Sequence, residues 1–228
     1  MPTNRRIVLE NRPKAAATTS NFRLEEVAVP TLQPGQFLVR NHWLSLDPYM
    51  RGRMNEGRSY AQPQVLGEVM QGGTAGEVIE SRNPGFAVAS KVVAYLGWQE
   101  YGVSDGTGVF KVDTRHVPLS AYLGPVGMPG VTAWYGLNRV IDPREGHTIV
   151  VSAASGAVGS VVGQLARIRG LRAIGFAGGA EKCRYVTEEL GFDACIDYKS
   201  ESTNEGLSKR LKEAAPNGVD GYFENVGG

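Results

Sequence analysis

The sequence predicts an α/β plus β fold, in which an antiparallel barrel or sandwich is followed by a parallel sheet with helices between its strands. Three observations predict it. Short runs of β-forming residues, broken by glycine and proline, fill residues 1 to about 125. From about Met128 onward, strand-like and helix-like segments alternate. The stretch "SAASGAVGSVVGQLARIRG" (152–170) sets a glycine-spaced turn between a β-branched run and a helical pattern. On this reading residues 1–127 form the first domain and residues 128–228 the second, with the hinge near "LGPVGMPGVTAW".

The elements follow in order. In the first domain "RRIVLE", "FRLEEVAV", "FLVRNHWLSL", "AGEVIES" and "KVVAYL" alternate or bunch β-formers, and "LQPGQ", "MQGGT" and "SRNPG" supply the turns between them. In the second domain "HTIVVS", "LRAIGFA", "DACIDY" and "VDGYFENV" read as four short strands. Between them "AVGSVVGQLARIR", "AEKCRYVTEEL" and "ESTNEGLSKRLKEAA" carry apolar residues near helical spacing. A complete dinucleotide-binding sheet has two halves and about six strands. Only four strands fit before Gly228, so the second half of that sheet is expected to be absent from this chain.

Composition narrows the function. The formal net charge is +1 in 228 residues, with no basic stripe, which speaks against nucleic acid as a partner. There is no apolar signal core at the N-terminus and no run of about 18 apolar residues, so no membrane partner is expected. Two cysteines, Cys183 and Cys195, cannot build a framework of several disulfides. A reducing, cytoplasmic setting is the simplest expectation.

Ala154, Gly156 and Gly159 occupy the three positions of a G-x-G-x-x-G pattern, and Gly163 follows one helical turn later. A glycine at 156 would let the main chain approach a pyrophosphate. A glycine at 159 would let the helix pack closely on the strand, and the free N–H groups of its first turn would meet negative charge. The alternative is that the glycines serve helix packing alone, and sequence leaves both open. The next strand ends in Ala177, Gly178 and Gly179, where an NAD-preferring fold usually places a carboxylate for the adenosine ribose. Lys182 follows in the next helix's first turn, placed to meet a 2′-phosphate, unless it is an ordinary solvated lysine. Glu181, the one acid nearby, favours the start of a helix. The corner therefore points to NADP rather than NAD.

Other chemistries lack residues. His42, His116 and His147 are isolated, and neither cysteine has a C-x-x-C partner, so no metal site is expected. There is no HExxH and no G-x-S-x-G elbow. Among the aromatics of the first domain, Tyr49 and Tyr60 stand out because each lies in a stretch read as irregular and polar, "LDPYMRGRM" and "GRSYAQPQ". A phenol can donate a hydrogen bond to a carbonyl oxygen that gains negative charge.

Taken together, "LSLDPYMRGRM" (44–54), "GEVMQGGTAGEVIES" (67–81), "GMPGVTAW" (127–134), "AASGAVGSVVGQLA" (153–166), "AGGAEKC" (177–183), "LGFDACIDYK" (190–199) and "YFENVGG" (222–228) span nearly the whole chain. In this order they resemble the medium-chain dehydrogenase/reductase superfamily. More narrowly, the chain is similar to its zinc-independent branch of prostaglandin reductases, alkenal double-bond reductases and bacterial curcumin reductases. The resemblance implies a GroES-like β-barrel domain followed by the first half of a Rossmann parallel sheet. It implies NADPH as donor and a small α,β-unsaturated ketone or aldehyde as substrate, reduced at its carbon–carbon double bond. Zinc enzymes of the superfamily keep glycine–histidine–glutamate where this chain reads Gly67-Glu68, which agrees with the absence of metal ligands.

By the same resemblance Gly156, Ala157, Val158 and Gly159 would hold the pyrophosphate, Lys182 and Tyr198 the 2′-phosphate, and Asn225 would lie near the ribose and pyrophosphate. Tyr49 would line the substrate pocket, with Tyr60 a second candidate. Relatives often dimerise, so a homodimer is possible for a longer form. One departure is local: a barrel turn that usually reads glycine–aspartate is Ala89-Ser90 here. Quinone or carbonyl reduction, and a truncated non-catalytic form that acts as a nucleotide-binding or interaction module, remain as alternatives.

Overall fold

Alternating apolar positions in the first half of the chain produce antiparallel strands with one buried face. The computed structural model describes residues 3–57, 62–201 and 203–227. Two units are distinguished, Met1–Leu123 and Gly124–Gly228.

In the first unit, β1 (Thr3–Leu9) and β2 (Phe22–Ala28) pair along their full length, from Thr3↔Ala28 to Leu9↔Phe22. Next come β3 (Phe37–Leu44), the short helix α1 (Tyr49–Arg53), β4 (Thr74–Ser81), β5 (Lys91–Ala94), β6 (Tyr101–Ser104) and β7 (Phe110–Lys111). The five later strands form one antiparallel sheet in the order β6-β3-β4-β5-β7. Phe37, Val39, Val78 and Val92 are fully buried on one face of it, the period-2 pattern of a half-buried strand. Phe86 stacks on Phe37 with ring centroids 4.3 Å apart. The hairpin joins this sheet through the bridges Arg6↔Gln99 and Val8↔Val69. Buried Asn4 fastens the same junction. Its Nδ2 donates to Gln99 Oε1 (3.0 Å) and to the Tyr101 carbonyl (2.9 Å), and its Oδ1 accepts the Tyr101 N–H at 3.0 Å, so the buried amide is satisfied.

Sequence reading did not foresee β6 and β7, which are too short to show an alternation. It also took "LDPYMRGRM" as irregular, whereas Tyr49–Arg53 is helical. Met50 and Met54 are buried and anchor that turn. Arg51 ties it to the loop before β2, donating from Nε to the Ala15 carbonyl (3.1 Å) and from Nη2 to the Pro13 carbonyl (3.2 Å).

The boundary between the units, Leu123/Gly124, falls within the earlier part of the segment read as a hinge, and in the second unit the later part of that segment folds as α2 (Met128–Tyr135). Pro129 lies in its first turn, where the missing N–H costs no intrahelical bond. The helix continues as a π-helical turn, Gly136–Ile141. Gly136 lies against the Phe223 ring, whose nearest carbon would be 2.4 Å from an added Cβ. Then follow β8 (Thr148–Val151), α3 (Gly159–Ile168), β9 (Arg172–Ala177), α4 (Ala180–Arg184) with a π-helical extension (Tyr185–Glu189), β10 (Ala194–Asp197), α5 (Asn204–Ala214) and β11 (Gly221–Phe223).

The sheet is parallel throughout, in the order β10-β9-β8-β11. Ile149 and Val151 face a core with Val162, Ala166 and Phe192. Val150, Ile174 and Ile196 face the other way, toward Leu207 and Leu211. Both faces are therefore covered, as parallel sheets require. From β8 the chain moves outward to β9 and β10, then returns to the opposite side of β8 as β11. The strand order reverses between β8 and β11. Crevices outside the carboxyl ends of strands at such a switch point are where open α/β sheets bind ligands.

Candidate functional site

The turn at this switch point is built by short main-chain bonds. Ala154, fully buried, donates its N–H to the Phe176 carbonyl at 3.0 Å, and the Gly156 N–H donates to the Ala153 carbonyl at 2.8 Å. Ala153 takes φ +45, a left-handed conformation uncommon for a residue with a side chain. The glycines divide their work. An added Cβ at Gly159 would lie 2.4 Å from the Ala153 carbonyl oxygen, and one at Gly163 would lie 1.9 Å from the Phe192 ring. Those two glycines are needed for helix packing. At Gly156 an added Cβ would meet only Ala153, at 3.0 Å, with open space beyond. The N–H groups of Ala157 and Val158 have no main-chain partner among the described residues. An open glycine beside unpaired N–H groups at the start of a ten-residue helix suits an anion.

The second corner is the turn after β9. Gly178 lies beneath Tyr198 and Lys199: an added Cβ would be 2.7 Å from the Tyr198 Oη and 2.9 Å from the Lys199 Cε. The Tyr198 ring is half-exposed. Lys182 is exposed on α4, which starts directly after Gly179. The structure thus gathers Gly178, Tyr198 and Lys199 and sets Lys182 three residues beyond Gly179. It also brings in Asp197, which sequence reading did not single out. Asp197 Oδ1 accepts the N–H groups of Gly179 (2.8 Å) and Lys199 (2.9 Å). These main-chain donors, Gly179 first, hold its pKa below the usual carboxylate value. Its charge is thereby engaged by the turn itself.

The third part is the end of β11. Ser152, buried, donates from its Oγ to Glu224 Oε1 at 2.9 Å and accepts the Asn225 N–H at 2.7 Å. The Asn225 Nδ2 donates to the Ser152 carbonyl at 3.0 Å. Glu224 also accepts the Tyr222 hydroxyl and the N–H groups of Val226 and Gly227. Its pKa falls to about 2, chiefly through the Tyr222 hydroxyl and then the Val226 N–H. Asn225 is fixed at the mouth of β8 by these bonds.

In the first unit, Tyr49 opens α1 with its Oη buried and without a hydrogen-bond partner. Burial pushes its pKa well above that of a free phenol, and the neighbouring Tyr95, near but outside hydrogen-bond geometry, adds to the shift. The Arg53 guanidinium lies 5.6 Å from the Tyr49 ring centroid. The phenol is therefore protonated and has a proton to donate. Tyr60 lies outside the described residues.

Known proteins match this architecture in both halves. Residues 5–112 match the family described as "N-terminal domain of oxidoreductase", and residues 157–228 match "Zinc-binding dehydrogenase". The chain is 49% identical over 225 residues to an NADPH-dependent curcumin reductase of Escherichia coli (strain K12), covering 99% of this chain and 64% of that protein. It is 40% identical to a 2-alkenal reductase (NADP(+)-dependent) of Nicotiana tabacum, over 99% of this chain and 66% of that protein. The solved structure of CurA from Vibrio vulnificus in complex with NADPH superposes with a TM-score of 0.88 at 48% identity, covering 98% of this chain and 65% of that one. The chain belongs to the zinc-independent branch of the medium-chain dehydrogenase/reductase family.

It spans 64% of the length of the Escherichia coli member. The family fold is the one described above, with the first half of the Rossmann sheet following the antiparallel unit. Although the second family match carries zinc in its description, no group of three or more His, Cys, Asp or Glu residues that could hold a metal ion occurs among the described residues. No helix among them is long and apolar enough to cross a membrane.

Proposed function

We propose that this chain carries the coenzyme corner and a hydrogen-bond-donating phenol of an NADPH-dependent reductase acting on the carbon–carbon double bond of α,β-unsaturated ketones and aldehydes. The activities of the similar curcumin reductase and 2-alkenal reductase, and the NADPH complex of the Vibrio vulnificus protein, support it. The observation that carries it is the corner at Gly178. Ala177–Gly179 offers no carboxylate, Asp197 is engaged by main-chain N–H groups, and Lys182, Tyr198 and Lys199 supply cationic and hydroxyl donors. A 2′-phosphate fits that chemistry, and an acid reading a free 2′-hydroxyl is missing from it.

The residues divide the work. The N–H groups at Ala157, Val158 and Gly159 bind the pyrophosphate, with Gly156 giving it access. Lys182 and Tyr198 bind the 2′-phosphate. Asn225, held by Ser152, borders the ribose and pyrophosphate. Bound NADPH supplies the hydride that adds to the β-carbon. Tyr49 donates its hydrogen bond to the substrate carbonyl oxygen, where the negative charge of the enolate collects. Tyr60 is a second candidate for that role. A proton from water then reaches the α-carbon and yields the saturated carbonyl compound. A cytoplasmic setting belongs to the same proposal, supported by two free thiols.

The test is NADPH consumption in the presence of an enone, with product analysis. A saturated ketone is expected, and an allylic alcohol overturns the assigned regiochemistry. Lys182→Glu should cut the preference for NADPH over NADH at least about tenfold, the equivalent of about 1.4 kcal/mol for one charge-assisted contact. An unchanged preference overturns the corner.

A further inference from the structure

Two cysteines that are twelve residues apart and carry no motif meet behind the coenzyme corner. Cys183 lies on α4 and Cys195 on β10. The Cys195 thiol donates to the Cys183 Sγ at 2.9 Å, and the Cys183 thiol points toward the Ala177 carbonyl at 3.9 Å. Both are partly accessible and both are free thiols. They are the only cysteines in the chain.

We propose that Cys183 and Cys195 form a redox-modification site, a dithiol that small-molecule disulfides convert to an intrachain disulfide joining α4 to β10. The sulfurs need to approach by about 0.9 Å to reach the bonding distance of about 2.05 Å. The order of attack follows from Cys195, the less readily ionised thiol. Burial and the neighbouring thiol push the Cys195 pKa up. Cys183 loses its proton and attacks one sulfur of the oxidant, forming a mixed disulfide and expelling a thiolate that takes up a proton. Cys195 then attacks the Cys183 sulfur, loses its proton, and expels the second small thiol. The protein gives up two electrons and two protons, and the oxidant gains both as two thiols.

The position couples this step to the coenzyme. Cys183 follows Lys182 on the same turn, and Cys195 precedes Asp197 and Tyr198 on one strand end. Drawing α4 toward β10 moves Lys182 relative to Tyr198. This part rests on the function proposed above: oxidation lowers the affinity for NADPH more than for NADH, and bound NADPH reciprocally favours the dithiol.

The experiment treats the native protein with oxidised glutathione and reads intact mass, maleimide-reactive thiols and coenzyme affinity. Loss of two hydrogens, loss of both reactive thiols, and restoration by dithiothreitol are expected. Cys195→Ser should stop at a single glutathione adduct on Cys183. Stable double glutathionylation, a disulfide-linked dimer, or two thiols that persist until the protein is unfolded overturns the site. If the disulfide forms and the NADPH-to-NADH affinity ratio stays unchanged, the coupling is overturned. If the reduced protein shows no preference for NADPH, the functional proposal fails while the mass measurement still decides the dithiol.

Discussion

The Gly179 N–H donates to Asp197 Oδ1 at 2.8 Å, fastening the turn after β9 to the end of β10. Gly179 has φ +106, a conformation that side-chain-bearing residues rarely adopt, and the Asp197 carboxylate holds the turn there.

Because main-chain donors lower the folded-state pKa of Asp197, its contribution to stability is present above the unfolded value of about 3.9. It is lost as pH falls through the lower folded value. Asp197→Asn should therefore melt below the wild type at pH 7, and the gap should close on acidification. Calorimetry from pH 7 to pH 3 checks this. A gap of constant size across that range would show that the carboxylate charge is not what holds the turn.

Gly156 and Gly163 should respond differently to the same added methyl group. Gly163→Ala drives a Cβ into the buried Phe192 ring, an overpacking that costs about 1–3 kcal/mol. Gly156→Ala meets one carbonyl oxygen at 3.0 Å and otherwise open space. It should leave the melting temperature nearly unchanged and weaken NADPH binding about tenfold or more, about 1.4 kcal/mol. Thermal melts beside coenzyme titrations separate the two. Equal effects of both variants on both readouts would assign Gly156 to packing.

What the sequence revealed follows from the length scale of each signal. The four parallel strands and three connecting helices were legible because each carries its own periodicity over several residues. So was the glycine turn, which lies within one short segment. The sequence suggested access at Gly156 and packing at Gly159 and left packing alone as the alternative; what an added Cβ would meet at each needed coordinates, since a one-dimensional pattern cannot show it. Asp197, Lys199 and the meeting of Cys183 with Cys195 were hidden for a related reason. Each depends on β10 lying beside β9, a contact between residues 12 to 21 positions apart. The helix over Met128–Tyr135 was not legible because its glycines and proline outweigh a pattern only eight residues long.

Tyr49 should titrate late. Burial raises its pKa above the free phenol value of about 10. The neutral form thus stabilises the fold fully below the unfolded pKa, and that contribution is lost as pH rises through the higher folded value. A difference ultraviolet titration of wild type against Tyr49→Phe should show no phenolate from this residue at pH 10. A phenolate signal by pH 9 would mean that the hydroxyl is solvated. In the enone assay, losing one such donor should reduce kcat by roughly 100-fold. Substrate binding should change less.

The turn between β4 and β5 carries strain that a single substitution can relieve. Ala89 takes φ +71, a conformation that glycine adopts without a steric cost. The left-handed conformation costs an L-residue about 1–2 kcal/mol. Ala89 holds it because the turn fixes the register of the hairpin: its N–H donates to the Val78 carbonyl at 2.8 Å, and the Val78 N–H donates to the Ser90 carbonyl at 2.9 Å. Ala89 is exposed, so removing its methyl group leaves no cavity. Ala89→Gly removes the steric cost and adds about 0.5–1 kcal/mol of backbone entropy to the unfolded chain. The net expectation is stabilisation by about 0.5–1 kcal/mol, a rise of roughly 1–4 °C in melting temperature for a chain of this size. Ala87→Gly, exposed in the same turn without a positive φ, pays the entropy and gains no relief, so it should destabilise. If both variants destabilise alike, the left-handed conformation at Ala89 carries no strain worth relieving.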